Sequence, residues 1–328
     1  MKIKCNIGTK INGKFGVQVL DSEGNPVAGK QRPLNGNAVS YDGAAKIFTA
    51  VDPGLDIGDF YYAKVGTGSV ERTRSDTGLA VAKAAVTSTE RPSRNSWVEV
   101  DNLDGTATYT ITFTLPFSLG AVTGTISEVA LYRDVSDTYL AGQLIKDELG
   151  DPTTVTILAD EQLIVTYSME FTGPLEGTLI GSGTVDADGV STNYEIYAQP
   201  LLKWYNIHQN TDTTIRYSSG VIGDAHVYAS NGTTKLASTT IGSSVVSHDG
   251  IGTVSWNNSA ASFAPSSFSS TDVRYLLFSS TSSSGSIDTA TNTEASGDLG
   301  LVLCKFTPAI NKGATKSLSV EVDFSVSV

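Results

Sequence analysis

Strict alternation of β-branched or aromatic residues with polar ones recurs along the whole chain and restricts the fold most. YTITFTL (Tyr109 to Leu115), LIVTYSM (Leu163 to Met169) and LSVEVDFSV (Leu318 to Val326) each repeat with a period of two. That period turns every second side chain to one face, so each segment reads as a strand with one side buried. Turn chemistry separates these segments: Asn12-Gly13, DSEGNP (Asp21 to Pro26), Asn35-Gly36, Asp104-Gly105, Asp188-Gly189, Asn231-Gly232 and Asp249-Gly250. These pairs tolerate the positive φ of tight hairpins. Short strands at such spacing predict an all-β chain of β-sandwiches. One short helix is expected around Thr77 to Val86, where leucine, valine and alanine give helical propensity over a few turns.

The two halves look alike. VEVDNLDGTATYTITF (Val98 to Phe113) matches VVSHDGIGTVSWN (Val245 to Asn257) as strand, hairpin, strand, and three further elements follow in the same order. Glu128 to Tyr132 corresponds to Arg274 to Phe278, Leu140 to Lys146 to Leu299 to Lys305, and Glu161 to Phe171 to Lys316 to Val326. The reading is an internal duplication: an N-terminal β-sandwich domain over 1–171 and a C-terminal one over 172–328, the second with Ser/Thr-rich loops. A chain of 328 residues is long enough for two cores.

A net charge of −12 argues against nucleic acid and anionic membrane surfaces as partners. No apolar run approaches the roughly 18 residues of a membrane span, and folding in a cytoplasm is expected. Cys5 and Cys304 are the only cysteines, which excludes a disulfide scaffold and predicts two buried, unreactive thiols.

Chemistry is poorly supported. In YYAKVGTGSVERTRSDTGL (61–79) the Gly-Thr-Gly turn lacks the lysine and Ser/Thr of a phosphate loop and the GxGxxG spacing, so it reads as a tight turn leaving a strand. His208, His226 and His248 form no zinc motif. DADG (Asp186 to Gly189) breaks the calcium-loop ligand order and reads as a hairpin, while Asp52, Asp56 and Asp59 could surround a hard cation. No GxSxG elbow occurs. No catalytic residue, cofactor or metal site is assigned. Trp204 and Tyr205 are the candidate glycan contacts.

The stretch carrying Tyr62, Gly66, Thr67, Gly68, Ser75, Asp76, Thr77 and Leu79 resembles one that recurs in structural proteins of tailed bacteriophages. Glu128 to Glu170 is similar to strands of tail and fibre proteins, and the C-terminal CKFTPAINKGATKSLSVEVDFSV looks like a second copy of that ending. FGVQVLDSEGNPVAG resembles an immunoglobulin-like hairpin. The resemblance implies a non-enzymatic virion component of the tail, collar or fibre-attachment region. It would work in many copies, as a trimer or larger ring beside other tail or collar proteins. The alternatives are a carbohydrate-binding adhesin that takes a host-surface glycan and, more weakly, a polysaccharide-degrading tailspike. Charge suggests where copies meet: 64–94 carries six cationic residues against three acidic ones, and 133–170 carries eight acidic against two cationic. The candidate interface pairs Arg72 and Arg74 with Asp147, Glu148, Asp160 and Glu161 of a neighbour.

Overall fold

A computed structural model describes residues 6–48, 62–83, 93–132, 139–187, 189–199, 224–240, 245–264, 267, 270–279, 286–294, 300–313, 315 and 317–327. Up to Pro174 the strands are β1 (Asn6–Leu20), β2 (Arg32–Val39), β3 (Tyr62–Gly66), β4 (Ser93–Asp101), β5 (Thr106–Pro116), β6 (Gly124–Ile126), β7 (Glu128–Tyr132), β8 (Tyr139–Leu144), β9 (Val155–Ile157) and β10 (Gln162–Pro174). Then follow β11 (Leu179–Ala187), β12 (Val190–Ala198), β13 (Asp224–Tyr228), β14 (Lys235–Thr240), β15 (Val245–His248), β16 (Thr253–Phe263), β17 (Ser270–Ser279), β18 (Ile287–Asp288), β19 (Thr293–Glu294), β20 (Gly300–Lys312) and β21 (Leu318–Ser327). The chain is all-β, with one described helix, α1 (Tyr41–Phe48).

Alternation does what the sequence asks of it. Along β5 the residues Ala107, Tyr109, Ile111, Phe113 and Leu115 are buried, and the threonines between them are only half-buried. β10 repeats the pattern with Leu163, Val165, Tyr167, Met169 and Phe171. Phe15 and Phe113 both pack on the Tyr167 ring, at 4.6 and 6.5 Å between centroids. The strands run β4-β5-β10-β1, and β1 hands the sheet on through a bulged pairing to β2-β8-β7-β3. Their inner faces share one core that includes Val129, Leu131 and Leu140. β7 and β8 are buried throughout, and on the outer side Leu79 and Tyr62 pack against Ala130, Tyr132 and Tyr139.

The pairing order recurs in the second half. There β15-β16-β21 corresponds to β4-β5-β10, and β12-β20-β17-β13 to β2-β8-β7-β3. The matched hairpins agree residue for residue: Asp101 pairs with Ala107, and His248 with Val254, at the same offset. At their tips Leu103 (φ 61°) stands where Gly250 (φ 78°) does. Strand pairing also joins the halves, since β1 runs parallel to β21 over residues 6–10 and 323–327. Tyr41 of α1 stacks on His248 at 4.7 Å.

Three local expectations need correction. Asn12-Gly13 and Asn35-Gly36 lie inside β1 and β2, not in turns. At Gly13 a side chain would collide with the Tyr167 hydroxyl and the Asn37 amide, at 2.4 and 2.0 Å, so this glycine permits close approach rather than chain reversal. The described helix lies at 41–48, and of the expected 77–86 the described residues 77–83 are not helical. Ser40 Oγ caps it by accepting the Gly43 N–H at 2.9 Å, and Gly43 lets it sit against the Leu140 backbone. Residues 77–83 are non-helical because the amides of Leu79, Ala80, Val81 and Lys83 bond acceptors elsewhere in the fold. Cys5 lies outside the described residues. Cys304 is a buried thiol on β20, and it is expected to react with a thiol reagent only as fast as the native protein opens, which a labelling time course at neutral pH would measure.

Candidate functional site

β3 delivers the chain into Gly66-Thr67-Gly68, and the loop from Ser69 to Lys83 folds back over β7. The first residue of β7, Glu128, is fully buried beneath this turn. Its carboxylate accepts three backbone N–H groups: Gly68 at 2.9 Å and Val81 at 2.8 Å on Oε1, and Ala80 at 3.0 Å on Oε2. The Arg72 Nε lies 4.0 Å from Oε2. Amides aimed at one point form an anion nest. Here the anion belongs to the chain itself.

The glycines follow from this packing. A Cβ at Gly66 would lie 2.4 Å from Glu128 Oε1, and one at Gly68 would lie 2.6 Å from the same atom. The loop is further tied to β3 and β7 by Thr67 N–H to the Val81 carbonyl (3.0 Å), Lys83 N–H to the Val65 carbonyl (3.2 Å) and Ser127 Oγ to the Gly68 carbonyl (2.7 Å). With the amides of Ala80, Val81 and Lys83 so used, no helix forms there. Ser75-Asp76-Thr77 sits in a closed turn, where Asp76 accepts the Thr73 N–H at 2.8 Å. Leu79 donates its N–H to the Tyr132 hydroxyl at 3.1 Å and packs on the outer cluster of Ala130, Tyr132 and Tyr139.

Arg72 turns into its own chain. It donates to the carbonyls of Val70 and Gly78, lies 3.7 Å from Asp76, and its side chain is 7% exposed. Arg74 is exposed, and its carbonyl accepts the Tyr41 N–H. The neighbouring Glu71 meets Lys146 of the acidic segment at 3.1 Å within the chain. Glu148 and Asp160 are exposed. Asp147 organises its own loop, accepting the N–H groups of Leu149 and Asp151. Asp21 does the same for Glu23 and Asn25, and those backbone bonds, Asn25 first, hold its carboxyl below the ordinary range. DSEGNP and DELGDP are thus one loop used twice, a D-x-x-G-x-P signal that the sequence carries but that alternation and turn pairs do not bring out. Asp186 accepts the Gly189 N–H in the β11–β12 turn, as the hairpin reading expects.

Glu161 is buried and held by Lys30 Nζ at 2.6 and 2.7 Å. Its carboxyl is lowered first by that lysine and also by the Leu158 N–H, against the effect of burial. A carboxyl lowered in the folded state stabilises above its unfolded pKa, and the contribution fades as pH falls through the folded value. Lys30→Met should therefore destabilise the chain fully at pH 7, and the gap from wild type should close below about pH 4. Urea midpoints measured across pH check this.

Trp204, Tyr205, His208, Asp52, Asp56 and Asp59 lie outside the described residues. His226 is buried on β13. Among the described residues no three His, Cys, Asp or Glu side chains gather as a metal would require, and no helix is long and apolar enough to cross a membrane.

The chain matches no family model, no curated protein and no solved structure. Among the described residues the glycine turn is the most elaborated polar feature. Both Glu128 oxygens are occupied by amides, so this group is placed to hold a loop.

Proposed function

We propose that the chain is a non-enzymatic structural component of a tailed-phage virion, present in many copies in the tail, collar or fibre-attachment region. One observation carries the reading: the segment that resembles phage structural proteins is built as architecture. Gly66, Gly68, Ala80 and Val81 close on the buried Glu128 and make the loop a fixed outer layer over β7. With about three of its four lone-pair sites accepting N–H groups and the residue fully buried, this carboxylate faces the loop rather than solvent. The second half covers its corresponding face by another device, the β18–β19 hairpin, whose Ile287 packs on Tyr228, Tyr275, Leu277 and Leu303. Two similar sheets with two different outer layers give one subunit two distinct surfaces, which suits a part lodged between neighbours. Immunogold electron microscopy tests this: antibody to the chain should decorate one position on the particle, and unlabelled intact and disrupted particles would refute it.

A further inference from the structure

The two halves differ at one edge. In the repeated order β11 stands beside β12 as β1 stands beside β2. The far edge of β1 is hydrogen-bonded to β10 antiparallel, from Lys10 opposite Thr172 to Leu20 opposite Gln162. The far edge of β11 pairs with no strand among the described residues. β21, the counterpart of β10, has β16 along one side and the first residues of β1 along the other. The strand that would close the second half within one chain is therefore engaged elsewhere. Exposed edges are ordinarily guarded by lysine, proline or bulges. β11 (LIGSGTVDA) has neither lysine nor proline, its one charge is Asp186, and its one bulge lies at its start, between Leu179 and Gly181, leaving 181–187 regular. Ser182 and Thr184 expose their side chains, and Leu179 is 51% exposed.

We propose that the β11 edge is a subunit contact filled by β11 of a second copy, antiparallel about a two-fold axis through Gly183. This rests on the multi-copy reading above and names one of its contacts. The antiparallel sense is the one the first half uses at this edge. Charge favours self-pairing: with Gly183 opposite Gly183, Asp186 faces Ile180 and the two carboxylates stand about 20 Å apart at 3.4 Å per residue. Leu179 faces Ala187, and Ser182 faces Thr184. The six strands β11-β12-β20-β17-β13-β14 then continue through the axis into those of the partner.

The register supplies the test, read by native mass spectrometry of the full chain over a concentration series. Wild type should give a dimer or an even-numbered assembly. Ser182→Lys with Thr184→Lys sets lysine opposite lysine across the axis, and dimer affinity should fall at least about tenfold while circular dichroism stays unchanged. Ser182→Lys with Thr184→Glu sets lysine opposite glutamate and should restore association. A monomeric wild type, a double-lysine variant that pairs as tightly as wild type, or a lysine–glutamate variant as weak as the double-lysine one would each overturn the contact. Particle labelling does not depend on this edge, so the virion reading and the β11 contact can fail separately.

Discussion

Glu128→Ala is expected to destabilise the protein by about 3–5 kcal/mol, the cost of breaking up a buried, charged hydrogen-bond network. The carboxylate is fully buried, and its removal leaves the N–H groups of Gly68, Ala80 and Val81 without their acceptor, the first on a buried residue and the other two on exposed ones. It also takes a countercharge from Arg72, whose side chain is 7% exposed and keeps Asp76 as its remaining carboxylate within 4 Å. The buried Gly68 amide regains a partner from solvent only if the loop lifts from β7. Hydrogen exchange should then accelerate first at Gly68, Ala80 and Val81, while the β5 and β10 amides stay protected. Glu128→Gln keeps the shape but turns an NH2 toward amide donors, so it should fall between wild type and alanine. Urea unfolding gives the magnitudes. An alanine variant within about 0.5 kcal/mol of wild type, the range of ordinary surface substitutions, would mean that Glu128 does not clamp the loop.

Gly66→Ala should cost about 2–3 kcal/mol by overpacking. The added methyl would lie 2.4 Å from Glu128 Oε1 and 2.4 Å from the Val81 carbonyl oxygen. The second contact decides the outcome. A side-chain oxygen can swing away, whereas the Val81 carbonyl is backbone and accepts the Thr67 N–H. The loop must therefore shift or lose that bond. Gly36→Ala is the matched control, because a Cβ there meets nothing within 4 Å, and it should stay within about 0.5 kcal/mol of wild type. Equal effects at the two positions, measured by thermal and urea unfolding, would mean that the glycine turn is no tighter than an ordinary strand.

What could be read from the sequence was what repeats at short range. Alternation in YTITFTL and LIVTYSM identifies β5 and β10 because one period decides which side chains are buried. Asp104-Gly105 and Asp249-Gly250 identify hairpins because turn geometry is local: Asp249 alone accepts the N–H groups of Ile251, Gly252 and Thr253, and its carboxyl, lowered chiefly by Thr253, falls to about 2. Asn12-Gly13 misled because a glycine that admits a neighbouring side chain has the same spelling as one that reverses the chain, and Asn35-Gly36 because the same turn pair also occurs inside a strand, with open space at its glycine. Glu128 was missed because EVALY looks like a strand entered from solvent, and its partners are backbone amides 47 to 60 residues earlier, which carry no residue signature. The helix at 41–48 was hidden by Gly43, a poor helix former required there by the approach of Leu140.

Quantitative mass spectrometry of gradient-purified particles, released from cells that carry the gene, tests the virion assignment most directly. The chain is expected to co-purify with infectious particles at a fixed ratio of several copies each and to survive washing in high salt. A chain that stays in the lysate, or leaves the particles on washing, would contradict the assignment.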